Sequence, residues 1–185
     1  MCKKIYFPVS RTCTATLALK EANLRSKSYP FDWMGQSYET IAYILKNGID
    51  HLFDDFEIYY NDLPPGDPPR ILCKHYNIFF YHEAEPQLIE KIKEKYIKRY
   101  NILIEDIKNT KEICLVLSVQ NEISLKTHYE VYNIPTTDIV GKPLDDNSLD
   151  SIKEAILEIN PNITITTTKF HKEWHEMVEE LKTPT

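Results

Sequence analysis

Three side chains in the first half of the chain have the types that nucleophilic catalysis needs: Cys13, Asp32 and His82. Cys13 follows the short apolar run Ile5 to Val9 and opens a stretch to Leu24 in which Ala15, Leu17, Ala18, Ala22 and Leu24 recur at roughly helical spacing. A thiol at a helix start lies among unsatisfied N–H groups and a partial positive charge, which favour thiolate over thiol. With a histidine beside it, such a thiolate is the nucleophile of cysteine hydrolases. The same position also suits a small, packed core residue. Asp32 stands between two aromatic rings in Pro30-Phe31-Asp32-Trp33. Proline orders that segment and the rings anchor it in the core, so the carboxylate is held on a rigid turn. There it orients a histidine or binds a substrate group, or it caps the following turn with its own side chain. His82 closes Phe79-Phe80-Tyr81-His82 and precedes Glu83 and Glu85. A histidine at a strand end among carboxylates suits general-base work, because an unperturbed imidazole titrates near ~6.5. The plain alternative is a surface histidine.

Other residues complete the candidate set. Gln120 and Asn121 follow the apolar run Ile113 to Val119, and the carboxyl ends of strands in an open parallel sheet are where ligands bind. Either amide orients a histidine or contacts substrate, unless both only make a turn. Trp33, Gln120 and Asn121 are therefore the candidate substrate-binding residues. His51 and His75 are weaker rivals to His82. His171 and His175 have the i, i+4 spacing of two metal ligands on one helix face, but no third ligand accompanies them, so neither a metal nor another cofactor is expected.

The elements that must position these groups follow from periodicity and from turn residues. Ile5 to Val9 reads as a first strand, and Cys13 to Leu24 as a helix with Thr12 as its N-cap. Ser37 caps a helix over Tyr38 to Lys46, and Asn47-Gly48 ends it. Phe56 to Tyr60 is a short strand, and the prolines between Pro64 and Pro69 make an exposed loop. Ile71 to His75 and Ile78 to His82 read as a hairpin around Tyr76-Asn77, and Pro86 starts a long helix reaching about Ile107. Ile113 to Val119 is apolar throughout, the pattern of a strand buried on both faces. After it come a helix near Ser124 to Tyr132, a strand near Thr137 to Val140, a helix over Ser148 to Ile159, a strand over Ile163 to Phe170 and a last helix over Lys172 to Leu181. The expected fold class is α/β: a single three-layer domain over residues 1–185, with a central mixed or mainly parallel sheet and helices on both faces. Residues 1–110 carry the cysteine, aspartate and histidine; residues 111–181 form the βαβ-type half.

Composition narrows the function. The formal net charge is −6, which repels nucleic-acid backbones, although Lys91 to Arg99 is a local basic patch. Only 4 glycines occur, which argues against a glycine-rich phosphate-binding turn. Cys2, Cys13, Cys73 and Cys114 match no metal or disulfide spacing. With no export signal and no apolar stretch approaching ~20 residues, a cytoplasmic location is expected, with no membrane span and no nucleic-acid partner. The sequon at Asn162 is then idle.

Two segments carry a resemblance. Cys13-Thr14-Ala15-Thr16-Leu17-Ala18-Leu19-Lys20, followed by Asn23-Leu24-Arg25-Ser26-Lys27-Ser28-Tyr29-Pro30-Phe31-Asp32-Trp33, resembles the putative papain-like cysteine peptidase family. Its cysteine follows a short strand, and its histidine follows an aromatic strand, here Phe80-Tyr81-His82-Glu83. Tyr96-Ile97-Lys98-Arg99-Tyr100 resembles the family's basic helix. The resemblance spans roughly residues 5 to 120. It implies a cysteine hydrolase, peptidase or acyl transferase, in which Cys13 attacks, His82 takes the thiol proton and Asp32 or a later amide orients the imidazole. It also implies a cysteine helix set against an antiparallel sheet that carries the histidine. The rival readings are an inactive or nucleotide- or sugar-binding Rossmann-like α/β module with Cys13 merely packed, and a protein-binding factor of a virus or pathogen. The partner is then a protein or a small-molecule substrate.

Overall fold

The structure is a computed structural model that describes residues 4–9, 13–25, 27–59, 69–83, 86–118, 146–170 and 174–182. It is mixed α/β, with one parallel and one antiparallel sheet. The parallel sheet has the order β1-β6-β7: β1 is Ile5–Val9, β6 is Glu112–Ser118 and β7 is Thr164–Phe170. Ile5 lies opposite Ile113 and Val9 opposite Leu117, while Ile113 lies opposite Ile165.

β6 explains the layering. Its side chains alternate between two separate cores, as a strand's period of two requires. Ile113, Leu115 and Leu117 enter the larger core, which also holds Ile92, Tyr96, Leu103 and Ile107 of α3 (Ile89–Asn109) and Ile152, Ala155 and Ile156 of α4 (Asp146–Ile159). Cys114 and Val116 enter the smaller core, with Ala15, Ala18 and Leu19 of α1 (Thr14–Glu21) and Met177 and Val178 of α5 (Trp174–Lys182). Helices therefore cover both faces of the parallel sheet.

The antiparallel sheet has the order β2-β5-β4-β3, where β2 is Met34–Gly35, β3 Phe56–Tyr59, β4 Arg70–Cys73 and β5 Ile78–Phe80. β4 and β5 form the expected hairpin, with Asn77 in the left-handed region at φ 55°, a conformation asparagine tolerates. The remaining helix, α2 (Tyr38–Asn47), starts at Ser37, whose hydroxyl accepts from the Thr40 N–H. It ends at Gly48, at φ 91°, whose N–H donates to the Ile44 carbonyl.

Several boundaries differ from the sequence expectation: Cys13 rather than Thr12 is the N-cap of α1, and β4 and β5 end at Cys73 and Phe80 rather than at His75 and His82. α1 stops at Glu21 rather than Leu24, because Asn23 turns left-handed at φ 56° and the Leu24 N–H reaches back to the Leu19 carbonyl, 3.0 Å away. The long helix opens with a 3-10 turn, Pro86–Leu88, before α3 begins. The cysteine helix also has a different bed from the one the resemblance implied: α1 packs on the parallel sheet and on α5, and the antiparallel sheet carries only the histidine. The expected helix near Ser124 to Tyr132 and strand near Thr137 to Val140 lie outside the described residues. Among the described residues no helix is long and apolar enough to cross a membrane.

Candidate functional site

Cys13 occupies the N-cap position of α1, beyond the carboxyl end of β1. Its carbonyl accepts the first helical bond, from the Leu17 N–H at 2.9 Å. Its side chain is half-buried and unpaired with another sulfur. Burial pushes its thiol above the ordinary cysteine value, and the Cys13 backbone N–H only partly offsets this. The expected pull of the helix start toward thiolate is thus outweighed by desolvation, and the group is a neutral thiol at pH 7.

One turn along α1, the Thr16 hydroxyl donates to Asp32 Oδ1 at 3.5 Å. Asp32 belongs to the 3-10 turn Pro30–Trp33 and is fully buried. Arg25 grips it from the loop after α1: Nη1 donates to Oδ1 at 2.8 Å and Nη2 donates to Oδ2. The Tyr29 N–H also donates to Oδ2, at 2.8 Å, which makes Asp32 the cap of its own turn. Burial raises the carboxyl's pKa, against the opposing pull of Arg25, the Tyr29 N–H and the more distant Arg99. The planar fork of Arg25 is matched to a carboxylate. One sequence expectation is that Asp32 caps the following turn; the carboxylate instead caps its own turn from the N3 position and carries an arginine as well.

The 3-10 turn joins the two sheets. On one side Phe31 meets Phe7 of β1, ring centroids 5.9 Å apart. On the other, β2 follows directly and pairs with β5, Met34 opposite Phe80. That register draws the residue before Met34 toward those after Phe80, and Trp33 meets His82 edge-on at 5.7 Å and 89°. His82 is exposed. The next residue, Glu83, fastens its loop to α3 by accepting from Lys95 Nζ at 2.6 Å and from the Tyr96 hydroxyl at 2.9 Å. Burial and the neighbouring Glu83 carboxylate hold the Tyr96 phenol well above its usual range, so it stays a donor.

Cys13, Asp32, Trp33 and His82 are thus linked through one short segment: the first turn of α1 touches Asp32, and the adjacent Trp33 touches His82. His51 and His75 lie elsewhere, their rings tilted at 40° to each other with centroids 4.7 Å apart, and His51 Nδ1 lies 3.0 Å from Asp54. Gln120, Asn121 and His171 lie outside the described residues. Sequence reasoning misses Arg25 and Thr16, and takes Glu83 only as a carboxylate beside His82 rather than as the tie to α3. Arg25 was accessible in principle, since a carboxylate between two core aromatics demands a cation nearby.

The molecule is thus a mixed α/β protein in which the helix that carries Cys13 flanks a parallel sheet, and a buried aspartate turn touches that helix through Thr16 and, through Trp33, the histidine after an antiparallel strand. The chain belongs to the family described as "Putative papain-like cysteine peptidase (DUF1796)", whose model matches residues 4–179. No curated protein and no solved structure gives a significant match to it.

Proposed function

We propose that the chain is a cysteine hydrolase, a peptidase or acyl transferase, with Cys13 as nucleophile and His82 as its base. The observation that carries this reading is the 3-10 turn Pro30–Trp33, which touches the cysteine helix through Thr16–Asp32 and the histidine through Trp33–His82. Because burial keeps Cys13 a thiol, its attack on a substrate carbonyl is coupled to proton transfer to His82. The imidazolium then returns the proton to the leaving group, and a thioester remains on Cys13. Water, deprotonated by His82, releases the acid; a different nucleophile at that step gives acyl transfer. The N–H groups of Thr14 and Ala15, at the start of α1, stabilise the oxyanion. Trp33, Gln120 and Asn121 are the substrate-binding residues of this reading. Asp32 is a positioning residue: it holds the turn that sets Trp33 against His82.

The test uses p-nitrophenyl acetate and intact-protein mass spectrometry. The expected result is one acetyl group on Cys13, absent in Cys13→Ala and formed far more slowly in His82→Ala. Acetylation that persists in Cys13→Ala overturns the reading. A second reading, a ligand-binding α/β module with Cys13 merely packed, draws support from the upward shift of the thiol. It is favoured if wild-type protein is not acetylated at all.

A further inference from the structure

A second feature lies apart from the cysteine and histidine, on the exposed side of α3. Lys91, Lys95 and Lys98 stand at i, i+4 and i+7, hence on one face of the helix, spread over about 10 Å of its length. With Arg99 and with Lys27, from the loop before the 3-10 turn, they line a cavity of about 540 Å³ that contains one carboxylate, Glu94. Two of these cations are already paired: Lys95 with Glu83 at 2.6 Å and Lys27 with Asp106 at 2.6 Å. Among the described residues five cations thus meet three carboxylates, and the surplus is positive on a chain whose net charge is −6.

Arg99 gives the second observation. Its guanidinium lies over the Tyr96 ring, 5.1 Å from the centroid, and its Nη1 is buried with no hydrogen-bond partner among the described residues. A buried, unsatisfied guanidinium N–H is costly, and it leaves the charge of Arg99 incompletely compensated behind the cavity wall. An anionic ligand in the cavity offsets that charge. Arginine's fork and a row of lysine point charges suit phosphate oxygens, and cations distributed along the helix suit charge distributed along a ligand better than a single carboxylate.

We infer that this cavity binds a small ligand carrying two or more linked phosphate groups. The phosphates lie along Lys91, Lys95 and Lys98, in the field of the Arg99 guanidinium behind them. Ile102, one turn further on the same face, offers an apolar wall to whatever the phosphates are attached to. The cavity size falls within the range of small-molecule sites.

Isothermal titration of the full chain with inorganic tripolyphosphate, at low and high salt, tests this, with orthophosphate and ATP as further arms. Tripolyphosphate is expected to bind more tightly than orthophosphate, and less tightly as salt rises. Equal affinity for ATP and tripolyphosphate assigns the contacts to the phosphates alone; tighter binding of ATP assigns a contribution to the wall at Ile102. The double variant Lys91→Glu/Lys98→Glu, on exposed side chains, is expected to lose about tenfold or more in affinity, and Lys182→Glu on α5 to stay within about twofold. Circular dichroism checks that each variant is folded. The inference is overturned if folded wild-type protein gives no heat with tripolyphosphate at low salt. It is also overturned if Lys182→Glu weakens binding as much as the double variant. Binding of duplex RNA or of phosphatidylserine vesicles without binding of tripolyphosphate overturns it as well.

Discussion

Replacing Asp32 by alanine tests whether the buried Arg25 pair holds the 3-10 turn between the sheets. The Asp32 side chain is 0% exposed and that of Arg25 only 7%, so the substitution strands a guanidinium away from water. Breaking one half of a buried pair costs about 3–5 kcal/mol. Arg25 Nε keeps its bond to the Lys27 carbonyl at 2.9 Å, which favours the lower end of that range. The Tyr29 N–H, however, loses its acceptor, at about 1–3 kcal/mol for an unsatisfied buried donor. Together these give a loss of about 4–6 kcal/mol. For a chain of 185 residues, each kcal/mol moves the thermal midpoint by roughly 2–4 °C, so Asp32→Ala should melt on the order of 10–20 °C lower. The double variant Arg25→Met/Asp32→Leu should recover most of the loss, because an apolar pair of similar volume replaces a buried ion pair at little net cost. Thermal and urea unfolding followed by circular dichroism measure both. A loss below about 1 kcal/mol in the single variant refutes the reasoning, because uncompensated burial of that charge cannot be so cheap. A double variant no more stable than the single also refutes it.

Two further outcomes are expected. Because burial raises the Cys13 thiol, its thiolate fraction at any given pH is below that of free cysteine, and iodoacetamide should alkylate it more slowly at pH 7, with the rate climbing into the alkaline range; mass mapping of alkylation against pH measures this, and a rate at pH 7 equal to or above that of free cysteine would show the thiol to be activated instead. Phe80→Ala should cost about 3–5 kcal/mol in urea unfolding, because the ring is fully buried between Phe53 at 4.7 Å and Tyr96 at 5.0 Å, and a loss below about 2 kcal/mol would mean that the site collapses around the gap.

Much of the scaffold can be read from residue patterns. The uninterrupted run at Ile113–Leu117 announces a strand buried on both faces, and the spacing of Ile92, Tyr96, Leu103 and Ile107 announces the inner face of α3. Pro30-Phe31-Asp32-Trp33 announces a fixed turn, because proline and two rings leave the chain little choice. What sequence hides is tertiary. The antiparallel sheet depends on β2, only two residues long, whose role follows from its pairing with Phe79 and Phe80 rather than from its own composition. Arg25 meets Asp32 because Asn23 ends α1 early and turns the chain back, an event carried by one positive φ. The state of Cys13 is the sharpest case. Local position predicts a lowered thiol pKa, and packing, which no local pattern encodes, raises it.

The partner of β1 sets the order in which the molecule is assembled. Among the described strands β1 has a single neighbour, β6, and Ile5 waits for Ile113. At synthesis rates of about 5–20 residues per second, the ribosome needs on the order of 5–20 seconds to produce that partner. Throughout that interval the cysteine segment has no sheet to lie on, and its thiol is open to solvent and oxidants. Closing so distant a pairing also costs loop entropy before any contact repays it, so the step falls late in folding. A chain cut short before β6 therefore leaves Cys13 on a helix with no sheet beneath it, and the surroundings of that thiol come into being only as the parallel sheet closes.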